Sequence, residues 1–506
     1  MLKGSKEVMM KKLKSIKWRN VILFLFVMVG LLVLAQSFVL PDMIGWNVDR
    51  VKHYEAGNDI TIVYQNVYSD TVPYGTVANQ EKCNKNEDCD VVLIFSKGED
   101  VSSQSESEIK AYLNQLVEEQ LINPKEIVYN EPQYSNDVNQ GYPISYDANP
   151  YEGIIEITFS QGPEIHVYDA TMVAVGDILL HDTVYNDFRL EEDTFDFSPL
   201  LENVKPYIEP ADFGFANQET NIGGVEVGLS SYPNFNSPYE IARDLINVGF
   251  NMFARANNHT LDKGESGVLA DEKNWEMFEG IITAGSTDSK EKRDQISVIE
   301  KNGIKLALLA YSYGFNGYRV PDDKSYLANE FDYEQAAIDI EKAKSVSDVI
   351  VVSMHWGVEY SNTPSEAQIE QAQWLADQGV HVIIGSHPHV LQPMDRLIGK
   401  DGNETVVAYS LGNFISGQVG LERLVGGIMK IDINKTTIGD GVEIEIGQPQ
   451  FMPTYNYAEA STKGYRLVPL IDSAQAEYFE SIKALMETYS PNVDVVDYIT
   501  YGELEK

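Results

Sequence analysis

Cysteine is nearly missing from this chain: two among 506 residues. That excludes a fold built on disulfides and a zinc module of clustered thiolates. Histidine is also scarce, at eight, so the place of each one carries information. Basic residues are few, 38 against 77 acids, for a formal net charge of −39. A field of that sign repels a polyanion, which excludes nucleic acid as a partner. It also opposes an anionic polymer unless metal ions or local basic residues intervene. Apolar residues make up 43% and charged residues 23%, enough to bury a large core. The length allows about three domains of ~150 residues.

The amino end departs from this composition. Lys3, Lys6, Lys11, Lys12, Lys14, Lys17 and Arg19 stand against the single acid Glu7, and Val21 to Leu40 then carries no charge. Twenty helical residues span ~30 Å, the thickness of a hydrocarbon core. Basic residues ahead of the run predict a cytoplasmic amino end. The expectation is a basic cytoplasmic tail at 1–20, a single transmembrane helix at 21–40 and the bulk of the chain outside the cell membrane. The alternatives are a buried soluble helix and a signal peptide cleaved near Ala35; the apolar run continues past Ala35, which favours the anchor. Cys83 and Cys89 enclose the loop CNKNEDC, which suits a disulfide in an oxidising space. A metal-binding loop is the rival, but two thiols with no histidine nearby are too few ligands.

Residues 41–165 repeat. A helical stretch near Asn47 to Tyr54 precedes alternating strands, and Glu106 to Gln120 places Ile109, Tyr112, Leu113 and Leu116 on one helical face before further strands. The segments VVLIFSKGED and IEITFSQGPE align at a period of about 65 residues, which suits tandem small domains. Pro41-Asp42-Met43-Ile44-Gly45, Ser69 through Val77 and Ser96-Lys97-Gly98 resemble a PASTA domain over 41–100, and Ser160-Gln161-Gly162-Pro163 extends the resemblance to a second copy at 101–165. The resemblance implies a helix packed on a three-stranded sheet, outside a bacterial membrane, that either binds peptidoglycan or serves as a spacer.

From His166 onward, apolar runs at 171–175, 212–216, 250–254, 305–311, 348–354, 380–385 and 405–410 alternate with helical patterns at 238–248, 267–279, 333–346 and 365–378. Ser365 is a helix start and Gly379 the matching stop. This pattern predicts an α/β domain over 166–506 with buried strands. Polar residues follow the strands: Asp177 and His181; Asn217 and Glu219; Asn257, Asn258, His259 and Asp262; His355; His387 and His389; Asn413. Sites in open α/β sheets form beyond the carboxyl ends of strands, so these residues can converge.

The chemistry of the set is that of a two-metal site. Mn, Zn or Fe accepts mixed imidazole and carboxylate ligands. Two ions can clamp an oxyanion and lower the pKa of a bridging water. Asp177, Glu219, Asn258, His355, His387 and His389 form the inventory, with His181 as a seventh candidate. Taken singly, Asp177 and Asn258 also suit turns, Glu219 a cap, and His355 a core position. Two imidazoles flanking Pro388 directly after a buried strand have no comparably plain reading. His53, His166 and His381 have no such context. The tail beyond 421 reads as two strands about a Gly-Asp-Gly turn and a helix at 473–488, without chemistry.

The order Gly-Asp, acid, Asn-His, His, Gly-x-His-x-His resembles the calcineurin-like metallophosphoesterases. Gly176-Asp177-Ile178-Leu179-Leu180, Ala216-Asn217-Gln218-Glu219-Thr220, Asn257 through Gly264, His355-Trp356-Gly357-Val358-Glu359-Tyr360, Gly385 through Val390 and Ser410-Leu411-Gly412-Asn413-Phe414 are similar to the CapA family of capsule proteins over about 166–420. The resemblance implies a four-layer αββα sandwich and a role in poly-γ-glutamate synthesis or export at the cell surface, with capsule synthase or export subunits as partners. Carried over by position, Asp177 and His389 hold one metal, Asn258, His355 and His387 the other, and Glu219 bridges. His259, oriented by Asp262, donates the proton to a leaving oxygen. The phosphoesterase pattern has histidine two residues after the first aspartate; here that position is Leu179. The chain is expected to be either a metal-dependent hydrolase or a non-catalytic component that keeps the fold.

Overall fold

The computed structural model describes residues 40–83, 88–458, 462–490 and 493–501. The expected tail at 1–20 and all but the last residue of the expected span at 21–40 lie outside the described residues. Among those described, no helix is long and apolar enough to cross a membrane. Two compact units divide the chain, Met1–Glu164 and Ile165–Lys506.

The first unit holds two modules of one topology. Helix α1 (Val48–Gly57) precedes β1 (Ile62–Val67), β2 (Val77–Lys82) and β3 (Val91–Ser96); α2 (Glu106–Glu118) precedes β4 (Ile127–Tyr129), β5 (Pro143–Asn149) and β6 (Ile154–Phe159). In each, the last strand is central, parallel to the first and antiparallel to the second. A serine closes both in the same way. Ser96 Oγ donates to the Val72 carbonyl at 2.8 Å and accepts the Gly98 N–H at 3.0 Å. Ser160 Oγ donates to the Val138 carbonyl at 2.6 Å and accepts the Gly162 N–H at 2.9 Å. The repeat is therefore closer than the sequence comparison suggested. Ser135, Val138 and Gly141 take the places of Ser69, Val72 and Gly75, a Ser-x-x-Val-x-x-Gly spacing legible in both copies once the first is known.

The modules share a joint. Tyr64 and Tyr151 stack with ring centroids 3.6 Å apart, and both hydroxyls donate to Glu55 Oε2, at 2.7 and 2.9 Å. Tyr74 and Val101 belong to the same buried cluster as Ile109, Leu113 and Ile157. Cys83 and Cys89 form the expected disulfide, with Cα atoms 5.9 Å apart.

The second unit stacks two sheets. The first runs β10 (Ile282–Ala284), β9 (Met252–Ala254), β8 (Phe213–Gln218), β7 (Ile165–Leu179), β18 (Val425–Ile438), β20 (Gln450–Tyr457), β21 (Arg466–Pro469), with β17 (Asn413–Ser416) also beside β7. The second runs β11 (Ser297–Lys301), β12 (Ile304–Ser312), β13 (Val349–His355), β14 (Val382–Ser386), β16 (Glu404–Leu411), β15 (Leu391–Ile398). Strands β7 to β10 are mutually parallel, as are β12, β13, β14 and β16.

Side chains on a strand alternate between faces. On β7, Met172 and Ala174 enter the core between the sheets, while Val173 and Val175 face α3 (Glu240–Asn247) and α4 (Gly264–Trp275) through Ile241, Leu245 and Trp275. On β12, Leu306 and Leu308 enter the same intersheet core, while Ala307 and Leu309 face α5 (Tyr333–Lys344) and α6 (Glu366–Asp377) through Ile340 and Leu375. The layers are helix, sheet, sheet, helix, the expected αββα order. Both faces being covered, the buried stretches of these strands are apolar, as at 172–175 on β7 and 306–310 on β12. The Ser365 cap and Gly379 stop bound α6 as expected, with Gln368 completing a capping box. The tail is more than an appendage: β18 lies between β7 and β20, in the middle of the first sheet.

Candidate metal centre

The carboxyl ends of β7 and β8 in one sheet and of β13 and β14 in the other bring their polar residues together. Asp177, Glu219 and His389 present ligand atoms within 4.8 Å of one another, and so do Glu219, His355 and His387. Glu219 is common to both groups. Its Oε1 lies 3.6 Å from His355 Nε2 and 3.6 Å from His389 Nε2. Asn258 joins the second group, with Oδ1 3.0 Å from His355 Nε2. The five groups and Asn258 are all buried.

Neighbours fix each ligand. Asp177 accepts from Asn217 Nδ2 at 2.9 Å and from the His387 backbone N–H at 3.3 Å. His389 Nδ1 lies 3.1 Å from both Asp177 Oδ2 and Asn413 Oδ1. His355 Nδ1 lies 3.0 Å from Ser386 Oγ. Partners of this kind orient an imidazole and set which nitrogen remains free. His387 and His389 both occupy the left-handed region, at φ 96° and 58°. Each such residue costs on the order of 1–3 kcal/mol, a strain that clusters at functional sites. Just before them, Gly385 lets β14 pass close to β16, since a Cβ there would collide with the Tyr409 carbonyl.

The electrostatics are those of a site built for cations. Burial pushes the Glu219 carboxyl well above the usual carboxylate range; His389 opposes this and Asp177 and Glu359 add to it. Neither Glu219 oxygen has a hydrogen-bond partner, and His387 Nδ1 has none. A buried carboxylate without a partner is costly unless a cation meets it, so these residues fit a divalent ion. Burial pushes His355 well below its ordinary value, and burial with the neighbouring His389 pushes His387 down to about 3. Neutral imidazole is the form that ligates. Burial also opposes the charge on His389, but Glu219 and Asp177 outweigh it and raise the group to about 9.

His259 stands beside the second group. Its Nδ1 is 2.7 Å from Asp262 Oδ2, which also accepts the Phe235 N–H at 2.6 Å. The His–Asp pair is thereby oriented through Nδ1. His181 stands apart. Its Nδ1 takes the Gly417 N–H at 3.2 Å, and it belongs to none of the ligand groups found among the described residues. The spacing that separates His181 from Asp177 carries it beyond the end of β7, onto a helix start.

Sequence reasoning passed over three residues. Glu359 lies within 4.8 Å of His387 and His389 ligand atoms. Tyr313 packs on His387 with ring centroids 4.7 Å apart. Asn316 accepts from Asn258 Nδ2 at 3.3 Å. Glu359 was visible, four residues after His355, whereas Tyr313 and Asn316 sit in a loop with no marker. Loop 255–262 is held from behind by buried Arg255, which pairs with Asp271 at 2.9 Å and with Glu272, and donates to the Ser286 carbonyl.

Residues 171–418 match the family described as bacterial capsule synthesis protein PGA_cap. The PGA biosynthesis protein CapA of Bacillus subtilis (strain 168) is 33% identical over 280 residues, covering 51% of this chain and 67% of that protein. The capsule biosynthesis protein CapA of Bacillus anthracis is 27% identical over 261 residues, covering 49% of this chain and 60% of that one. Among solved structures, the NAD nucleotidase NadN of Haemophilus influenzae aligns over 66% of this chain and 65% of its own at 13% identity, with a TM-score of 0.34, too low for the likeness to carry weight. The span matched to the family contains every ligand and the His259–Asp262 pair, and the chain belongs to the bacterial capsule synthesis protein family.

Proposed function

We propose that this chain serves poly-γ-glutamate capsule synthesis or export as a membrane-anchored, outward-facing protein whose large unit carries a metallophosphoesterase-type centre. Glu219 carries the reading: a buried carboxylate with two unpartnered oxygens, 3.6 Å from an imidazole on either side. Asp177, Glu219 and His389 would hold one divalent ion; Glu219, Asn258, His355 and His387 the other. Ions bound there supply a water of lowered pKa and charge to steady an oxyanion. His259, with Nδ1 committed to Asp262, keeps Nε2 for proton transfer to a leaving group. The reaction is hydrolysis of an ester or amide bond in a surface polymer.

The uncharged run at 21–40 anchors the chain, and the tandem modules follow it as a spacer or a peptidoglycan-facing element. A second reading, a non-catalytic component that grips metal or polymer, draws on Leu179, which leaves the first ion one imidazole fewer than the second. Metal analysis and turnover separate the two. At least one transition-metal ion per purified chain together with hydrolysis of a generic phosphodiester or amide supports the enzyme. Bound metal without turnover supports the second reading, and a chain that takes up no metal refutes both forms of the metal centre.

A further inference from the structure

The segment after His355 ends on Glu359 and Tyr360, which the chemistry above leaves unused. Glu359 is exposed, whereas His387 and His389, both within ligand distance of it, are buried. A molecule arriving from solvent therefore meets this carboxylate before the ligands. The placement is built into the backbone. Gly357, at φ 87°, turns the chain where a Cβ would run into the Gln368 amide. Tyr360 is itself left-handed, at φ 65°, and its N–H donates to the Pro388 carbonyl at 2.8 Å. A bulky residue in that region is uncommon and needs such a tie. Pro388 separates the two ligand histidines, so the Glu359 loop and the ligand loop are bonded to each other directly.

The nearby Arg423 guanidinium lies 4.7 Å over the Tyr360 ring rather than against the carboxylate. No salt bridge to Glu359 is present among the described residues.

An exposed carboxylate without a salt bridge, on the solvent side of a metal pair, opposes a phosphate dianion, which would bring its oxygens against the same ions. An amide brings no net charge and offers an N–H, and a hydrogen bond to a carboxylate is of the strong, charge-assisted kind. We infer that Glu359 is the specificity-determining residue of this centre: it turns phosphate groups away and accepts the N–H of a substrate amide, so that the bond cleaved is C–N rather than P–O. The inference rests on the metal-centre reading. The reaction balances with water alone: hydroxyl joins the carbonyl carbon, the C–N bond breaks, and a proton passing through His259 goes to the leaving nitrogen, giving a carboxylate and an amine.

The test uses the full chain loaded with Mn²⁺, with metal content measured by mass spectrometry. Calorimetric titration with inorganic phosphate should show Glu359→Gln binding at least tenfold more tightly than wild type, at equal metal content. Wild type should hydrolyse a γ-glutamyl anilide in preference to p-nitrophenyl phosphate, and Glu359→Gln should move that ratio at least tenfold toward the phosphate. Unchanged phosphate affinity overturns the inference. Loss of metal in the variant also overturns it, by making Glu359 a ligand. So does a wild-type protein that prefers the phosphate or cleaves neither probe. A wild-type chain without metal overturns the metal-centre reading, a result distinguishable from all of these.

Discussion

Glu219 belongs to both ligand groups, so its removal should uncouple metal from stability altogether. Ligand that binds only the folded state stabilises by RT ln(1 + [L]/Kd), about 2.7 kcal/mol at a hundredfold excess over Kd. The large unit spans about 340 residues. At about 2.1 cal/mol/K per residue its unfolding entropy is roughly 0.7 kcal/mol/K, so the metal should raise Tm by about 4 °C. Glu219→Ala loses a donor from both groups. A hundredfold weaker affinity at the same ion concentration leaves about 0.4 kcal/mol, a shift below about 1 °C. His181→Ala should retain the whole shift, because His181 lies outside the ligand groups. The assay is differential scanning calorimetry of chelator-stripped protein with and without Mn²⁺ or Zn²⁺. Equal shifts in wild type and Glu219→Ala would refute Glu219 as the bridge, and a lost shift in His181→Ala would return that residue to the ligand set.

His259→Ala and Asp262→Asn should each lower hydrolysis by about two orders of magnitude or more while metal content stays constant, since proton transfer and its orientation are lost but no ligand is; metal loss in either variant would make the assignment wrong. Arg255→Met leaves Asp271 and Glu272 short of their buried partner and should destabilise the large unit by about 3–5 kcal/mol, read from the denaturant midpoint. His381 is half-buried, its Nδ1 accepts the Ile350 N–H at 3.1 Å, and burial lowers it from 6.5 to about 4. Between those pH values the unfolded chain holds a proton that the folded chain refuses, so stability falls as pH drops from 6.5 toward 4, by at most about 3 kcal/mol. His381→Asn should flatten the pH dependence of the melting temperature in that window relative to wild type, and an unchanged slope would count against it.

The large unit was legible because the buried stretches of its strands are apolar, so the polar residues at their ends stand out. Asp177, Glu219, His355, His387 and His389 were found this way, and Gly385 through His389 most directly, because nothing bland accounts for two imidazoles around a proline. Tyr313 and Asn316 were harder. Their nearness to the ligands depends on a loop after β12, which no periodicity announces. By His181 the strand that carries Asp177 has ended, and this residue lies outside the ligand groups found among the described residues. The second module matches the first at Ser135, Val138 and Gly141 as well as at its closing serine, but these three lie in a loop that no periodicity marks. The central place of β18 came from pairing across more than 250 positions, which local sequence does not encode.

Asp177, on β7 of the first sheet, and His389, just past β14 of the second, stand 212 positions apart and meet only when the sandwich is closed. A growing chain therefore has no metal site to offer until nearly the whole large unit has emerged and folded. An ion filling the site proposed above would be chosen by whatever supply surrounds the finished fold rather than by the pool around the ribosome. For a chain threaded unfolded across a membrane, this places the choice of metal on the far side, among the ions of the cell's surroundings. The occupant would then follow the growth medium more closely than the regulated metal content of the cytosol.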